Sequence, residues 1–238
     1  MKIPGVKALT FDVGGTVFDW RGAIETELRS LSAEKGVQVD VRQFASDWRR
    51  EMFVMLGKVK SEERPRINAD QIHRLVLDDV LERHDTIRLS TSERDDLNQV
   101  WHRMKTWPDA VAAIQQLRES YTVVVLTVLS YAIVVDCSKL NELGWDGILS
   151  CEFLDQYKGH PRAYQQGAEL LGLEPDEVMM VAAHAADLKA AKDAGLKTAY
   201  VHRENEWISE YPTPEPIHPL DTFDVSATDF DDLVKKLI

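Results

Sequence analysis

Lys7-Ala8-Leu9-Thr10-Phe11-Asp12-Val13-Gly14-Gly15-Thr16-Val17-Phe18-Asp19-Trp20 is the stretch on which the reading of the whole chain turns. Val6 to Phe11 is short, mostly apolar and rich in β-formers, as a buried strand should be. It stops at Asp12, and Gly14-Gly15 follow at once. A carboxylate at the carboxyl end of a buried strand lies where open α/β sheets bind ligands. Two glycines there let the backbone fold tightly around whatever the carboxylate meets. A plain strand and Gly-Gly turn, with Asp12 capping the turn, accounts for the same residues.

Outward from this stretch, the texture changes to helix and stays helical for some 85 residues. Ile24, Leu28 and Leu31 repeat at helical spacing within 21–35, and Gly36 ends the segment. Phe44, Trp48, Met52 and Met55 do the same within 41–56, and Ile72, Leu75, Val76 and Leu81 within 68–83. Ser90 or Thr91 caps a fourth helix, with Glu93 and Asp95 in its first turn. From Pro108 the pattern alternates: helix 109–119, strand 122–126 ending at Thr127, helix to about 143, strand 147–150, helix 161–171, strand 178–182, helix 185–194 and strand 197–201. A Pro-rich loop over 211–219 and an amphipathic helix from Asp229 close the chain. Alternating strands and helices imply an α/β fold with a doubly wound, Rossmann-like parallel sheet. The four helices then separate the first strand from its fellows as an inserted all-helical cap, over 20–105, with the core made of 1–19 and 106–238.

Composition narrows the function. The 238 residues supply ample core, and 28 Lys+Arg against 40 Asp+Glu leave a net charge of −12. That balance opposes nucleic acid and anionic membrane surfaces as partners. The densest basic stretch, 58–66, is interleaved with Glu62, Glu63 and Pro65 and reads as a solvated loop. Cys137 and Cys151 are too few and too isolated for a zinc site and read as reduced thiols. With no 18-residue apolar run and no secretory leader, a cytoplasmic location is expected.

Three further polar residues fall at or just past strand ends: Thr127, Lys158 and Asp187. With Asp12 they supply a nucleophile, a hydroxyl, a cation and a second acid at one sheet edge. Singly each has an ordinary explanation as a turn hydroxyl, a surface lysine or a helix-start acid. In this order and on this scaffold the four resemble the haloacid dehalogenase superfamily over nearly the whole chain. The likeness is closer to its type II 2-haloacid dehalogenase branch, through 11–20, Trp48-Arg49, Tyr157-Lys158 to Tyr164, and Met179 to His184 leading into Asp187-Leu188.

That resemblance implies attack by Asp12, an aspartyl ester, and hydrolysis of the ester by water. It implies that Lys158 keeps Asp12 ionised, that Thr16 and Thr127 hydrogen-bond Asp12 or the substrate, and that Asp187 positions Lys158 and helps aim the water. Arg49 on the cap, or Arg21, would clamp a substrate carboxylate with its planar fork. Phosphatases of this superfamily carry a second Asp two residues after the nucleophile. Here that residue is Gly14, and losing a general acid forfeits roughly 10²–10⁴-fold in rate. Attack at carbon, with neither metal nor cofactor, is therefore expected.

The branch's pattern is broken at Gly14, where an aromatic residue is usual. It is broken again at Val128 and Ala185, which stand where Asn is usual, and at Gly159-His160, which replace Pro-Asp. The lost amides remove donors for a departing halide. His160 adds a proton carrier. This combination puts ring-opening of azetidine-2-carboxylate to 4-amino-2-hydroxybutyrate first, as in the dehalogenase-like azetidine-2-carboxylate hydrolases. Halide displacement from 2-haloacids comes second, and a Mg²⁺-dependent phosphatase third. In the first reading Gly14 opens space, Trp20 and Trp48 wall the pocket, and Val128 and His184 line it beside a small carboxylate. A homodimer is the expected assembly on frequency alone.

Overall fold

The computed structural model describes residues 3–204, 206 and 222–238, so the expected Pro-rich loop over 211–219 lies outside the described residues. Six parallel strands form one sheet in the order β5-β4-β1-β6-β7-β8. They are β1 (Ala8–Phe11), β4 (Thr122–Thr127), β5 (Gly147–Ser150), β6 (Val178–Ala182), β7 (Lys197–Val201) and β8 (Val225–Ala227). β1 is central and wholly buried, as its mostly apolar run suits a strand covered on both faces. Helices flank the sheet. α7 (Pro161–Leu170) packs on α8 (Ala185–Asp193), and α5 (Ala110–Arg118) packs on α9 (Phe230–Leu237). The remaining core helix, α6 (Tyr131–Leu140), joins β4 to β5.

The chain leaves β4 to one side of β1 and β6 to the other, so the connections diverge at the end of β1. Such a switch point opens a crevice at the carboxyl edge of the sheet. Asp12 extends the pairing by one residue, donating its N–H to the Val181 carbonyl at 3.0 Å. The side chain is thereby fixed at the mouth of that crevice.

Between β1 and β4 the chain inserts α1 (Trp20–Lys35), α2 (Val41–Lys60), α3 (Ala69–Arg83) and α4 (Thr91–Asn98). Local signals terminate these helices. Gly36 ends α1 in the left-handed conformation with φ +64°, and Asn68 and Ser90 form capping boxes with Gln71 and Glu93. The insert joins the sheet through two very short antiparallel strands, β2 (Phe18–Asp19) and β3 (Lys105–Thr106). Neither these strands nor β8 is expected from sequence. Two- and three-residue pairings carry no periodicity to read.

The insert has its own aromatic core. Trp101 stacks on Trp20 at 6.3 Å and meets the edge of Trp48 at 5.4 Å. Trp48 is fully buried, and its indole N–H donates to the His73 carbonyl at 2.9 Å. This corrects the expectation that Trp48 walls the pocket, because its ring and its polar atom are both consumed inside the cap. Trp48→Ala should therefore cost about 3–5 kcal/mol of unfolding free energy. Urea denaturation checks this, and at temperatures where the variant stays folded its KM should remain close to the parent's.

Candidate active site

Residues 12–18 form a tight loop in which Val17 and Phe18 both donate backbone N–H groups to the Val13 carbonyl. Gly15 has φ +90°, a conformation that disfavours side chains. A Cβ there would also come within 2.1 Å of the Glu206 carboxylate. The loop turns Thr16 back onto Asp12. The Thr16 hydroxyl accepts the Ala183 N–H at 3.0 Å and donates to Asp12 Oδ2 at 2.7 Å.

Lys158 approaches from the loop after β5. Its Nζ lies 2.8 Å from Asp12 Oδ1 and 2.5 Å from Asp187 Oδ2, and its side chain is only 6% exposed. Asp187 stands in the first turn of α8, where Tyr164 of α7 donates to its Oδ1 at 2.5 Å and accepts the Gly159 N–H at 3.0 Å. Lys60 of the cap reaches across to donate to the Lys158 carbonyl at 2.6 Å.

Burial disfavours the charged forms of Asp12, Lys158 and His184, yet their partners prevail. Burial raises the Asp12 pKa, but the Lys158 charge and the His184 hydrogen bond outweigh it and hold the carboxyl well below the usual range. Burial lowers Lys158, but the Asp12 and Asp187 charges raise it above its ordinary value. His184, just ahead of α8, places Nδ1 3.0 Å from Asp12 Oδ2 and Nε2 3.2 Å from Glu206 Oε1. Burial opposes its charge, but these two carboxylates push it up to about 10.

The expected site residues distribute as follows. Asp12, Thr16, Lys158, Asp187 and His184 converge within hydrogen-bond reach. Arg49 lies over this group, 5% exposed, with Nη2 3.4 Å from the Gly14 carbonyl and Nη1 buried without a hydrogen-bond partner. Arg21 instead donates to Ser46 Oγ at 3.1 Å. Gly14 does not open a wide space, since a Cβ on it would sit 3.5 Å from Leu129 and 3.6 Å from Arg49. Trp20 packs beneath the Arg49 guanidinium at 5.0 Å and donates its indole N–H to Glu206. Thr127 is buried and ties its turn by accepting the Leu129 N–H at 3.1 Å, while Val128 is half-buried beside it.

His160 is the clear correction. It is exposed and caps α7, its Nδ1 accepting the Arg162 N–H at 3.1 Å, with Pro161 in the first helical turn. A ring turned back onto its own helix cannot serve a reaction at Asp12. The proton donor assigned to an amine leaving group is thus lost. Glu206 was missed altogether. It lies just past β7, at the same sheet edge as the others, but its neighbourhood also holds Glu204, and the sequence offers no way to choose between them. Among the described residues no group of three His, Cys, Asp or Glu side chains could hold a metal ion.

Fold and site together define a Rossmann-like α/β core whose buried carboxylate–ammonium–carboxylate cluster is roofed by an inserted helical cap. Comparison with known proteins agrees. The family model described as haloacid dehalogenase-like hydrolase matches residues 6–195. The defluorinating L-2-haloacid dehalogenase Rha0230 superposes with a TM-score of 0.91 at 33% identity, covering 100% of this chain and 98% of that one. The L-2-haloacid dehalogenase PA0810 gives 0.90 at 30% identity, covering 98% of each chain. Among curated relatives, (S)-2-haloacid dehalogenase 4A of Burkholderia cepacia is 32% identical over 117 residues, 47% of this chain and 49% of that protein. The aligned part thus spans about half of that relative's length. The chain belongs to the haloacid dehalogenase-like hydrolases.

Two outcomes follow from the geometry. His160→Ala should leave turnover within about twofold and cost at most the ~0.5–2 kcal/mol of a lost helix cap. His184, raised from 6.5 to about 10, contributes stability that is complete below pH 6.5 and disappears as pH rises to about 10. The gap in unfolding free energy between the parent and His184→Asn should therefore shrink across that interval. A gap that grows instead would show that the ring is neutral in the folded protein.

Proposed function

We propose that this chain hydrolyses small (S)-2-haloacids to 2-hydroxyacids through an ester on Asp12. One observation carries the reading: Asp12 is buried, held ionised by Lys158, and followed two residues later by Gly14 in place of an acid. A carboxylate so placed is a nucleophile for carbon, with no side chain at residue 14 to protonate a leaving alkoxide. Arg49 supplies buried, unpaired N–H capacity beside Gly14, suited to the substrate carboxylate. The likeness to enzymes named 2-haloacid dehalogenases supports the same substrate class.

Attack at C2 expels halide and neutralises Asp12. Water then adds to the ester carbonyl carbon, one of its protons passing to Asp187 and the other leaving to solvent as the Asp12 carboxylate re-forms. Lys158 protonates the departing product oxygen and recovers its proton from Asp187, 2.5 Å away. Residues 20–105 act in this reading as the mobile cap and residues 1–19 with 106–238 as the core. Closure then excludes water until the ester has formed.

The test incubates enzyme with (S)-2-chloropropionate, azetidine-2-carboxylate and p-nitrophenyl phosphate, the last with Mg²⁺, and measures chloride, 4-amino-2-hydroxybutyrate and phosphate. Chloride release that is abolished in Asp12→Asn is expected. Arg49→Lys should raise KM, by about tenfold for one lost bidentate contact of ~1.5 kcal/mol. Amino-hydroxybutyrate without chloride restores ring-opening as the activity. Phosphate release alone overturns attack at carbon.

A further inference from the structure

The two oxygens of Asp12 are not equivalent. Among the described residues Oδ1 receives one donor, the Lys158 ammonium at 2.8 Å. Oδ2 receives two, the Thr16 hydroxyl at 2.7 Å and His184 Nδ1 at 3.0 Å. The direction of the first is fixed, because Thr16 Oγ1 already accepts the Ala183 N–H and so keeps its own proton for Asp12. The second is fixed as well. His184 presents one ring nitrogen to each of two carboxylates, which accept but cannot donate, so both nitrogens carry protons and the ring is an imidazolium.

Glu206 holds that state. It is 4% exposed, it receives the Trp20 indole N–H at 2.9 Å, and it lies against Gly15 at a point where any Cβ would displace it. Lys158 and Asp187 stand on the Oδ1 side, Arg49 stands over Gly14, and the Asp19 carboxylate, with Arg21 beside it, interacts with Glu206 from the cap entrance. The oxygen with fewer donors is the better nucleophile, so Oδ1 forms the bond to carbon and Oδ2 becomes the ester carbonyl. When water adds to Cγ, the new negative charge settles on Oδ2.

We propose that His184, held charged by Glu206, completes with Thr16 an oxyanion site at Asp12 Oδ2 that serves hydrolysis of the ester and not its formation. The inference rests on the ester route proposed above. As the water oxygen bonds to Cγ, the carbonyl electron pair moves onto Oδ2. It returns to Cγ as the Cγ–Oδ1 bond breaks and Oδ1 departs as the product hydroxyl. His184 and Thr16 gain and lose no proton in this step. Their dipole and charge are already in place where charge develops. Glu206 is a positioning residue. Once alkylation removes the Asp12 charge, it is the carboxylate left to keep the ring protonated.

Rapid-quench kinetics with (S)-2-chloropropionate, read as chloride and as alkylated enzyme by intact mass, separates the two steps. In Glu206→Gln the chloride burst should stay within about threefold, while ester hydrolysis slows about 10–100-fold and alkylated enzyme accumulates. Trp20→Phe, which frees Glu206 without neutralising it, should shift the same ratio in the same direction by less. Equal slowing of both steps, or of neither, overturns the proposal.

A second arm needs no substrate. Asp12→Asn imitates the uncharged, alkylated state, and nitrogen-15 NMR reads the His184 ring. The ring should remain doubly protonated at pH 7.5 in Asp12→Asn and become neutral in Asp12→Asn/Glu206→Gln. Identical titration in both overturns the assignment. If the parent enzyme releases no chloride, the substrate reading fails while this arm still decides the role of Glu206.

Discussion

A buried ammonium between two buried carboxylates is the constraint on which the rest of the molecule depends. Removing an ion from water costs several kcal/mol even after relaxation, and only close, well-satisfied partners return it. Lys158 therefore needs Asp12 and Asp187 within 2.8 and 2.5 Å, and the scaffold must bring together three segments far apart in sequence to provide them. The parallel sheet does this by ending β1 and β6 side by side, with the loop after β5 folding over from beyond β4. Tyr164 and Thr16 then spend their hydroxyls on the carboxylates and leave little rotational freedom. Breaking any one contact strands a charge in a dry site, which is why such a cluster implies use and not ornament.

The cap is bound to the same constraint. Arg66 donates to the carbonyls of Cys151, Leu154 and Asp155, and Lys60 donates to that of Lys158. Both cap cations thus pin the segment that carries the ammonium. Cap and lysine segment are tied through backbone oxygens. His102 of the insert adds a second tie, bridging Asp70 of the cap and Asp136 of the core at 2.7 Å each.

Much of this was legible in the sequence because the fold writes itself in periodicities. The β1 run, the four inserted helices, and the strands at 147–150, 178–182 and 197–201 all follow from apolar spacing and from caps such as Gly36 and Ser90. Asp12, Lys158 and Asp187 meet, as their places in the sequence predict, because strand ends in such sheets face one crevice. What failed was orientation. Trp48 and Arg49 are neighbours on α2, about 100° apart around a 3.6-residue turn, so one enters the cap core while the other reaches Gly14. His160, expected in the pocket, immediately precedes Pro161, a helix-start signal that assigns its ring to the helix end. Glu206 was invisible because its partners, Trp20 and His184, are distant in sequence by 186 and 22 residues, and nothing local marks it.

Counting charges in the cluster shows why its composition is closed. Three carboxylates, Asp12, Asp187 and Glu206, face three cations, Lys158, His184 and Arg49. Admission of a monocarboxylate substrate would add one negative charge, and alkylation of Asp12 would pass that residue's charge to the departing halide. The ester state with its bound carboxylate is therefore neutral once the halide has left the site, whereas the complex before attack is not. In a site of low dielectric an excess charge is disfavoured far more than in water, so the imbalance favours release of the halide. A neutral substrate would gain nothing from this arrangement. A dianion would enter at a further penalty. On the function proposed above, a substrate carrying a single carboxylate suits the whole cluster, with Glu206 part of the same balance as Asp12.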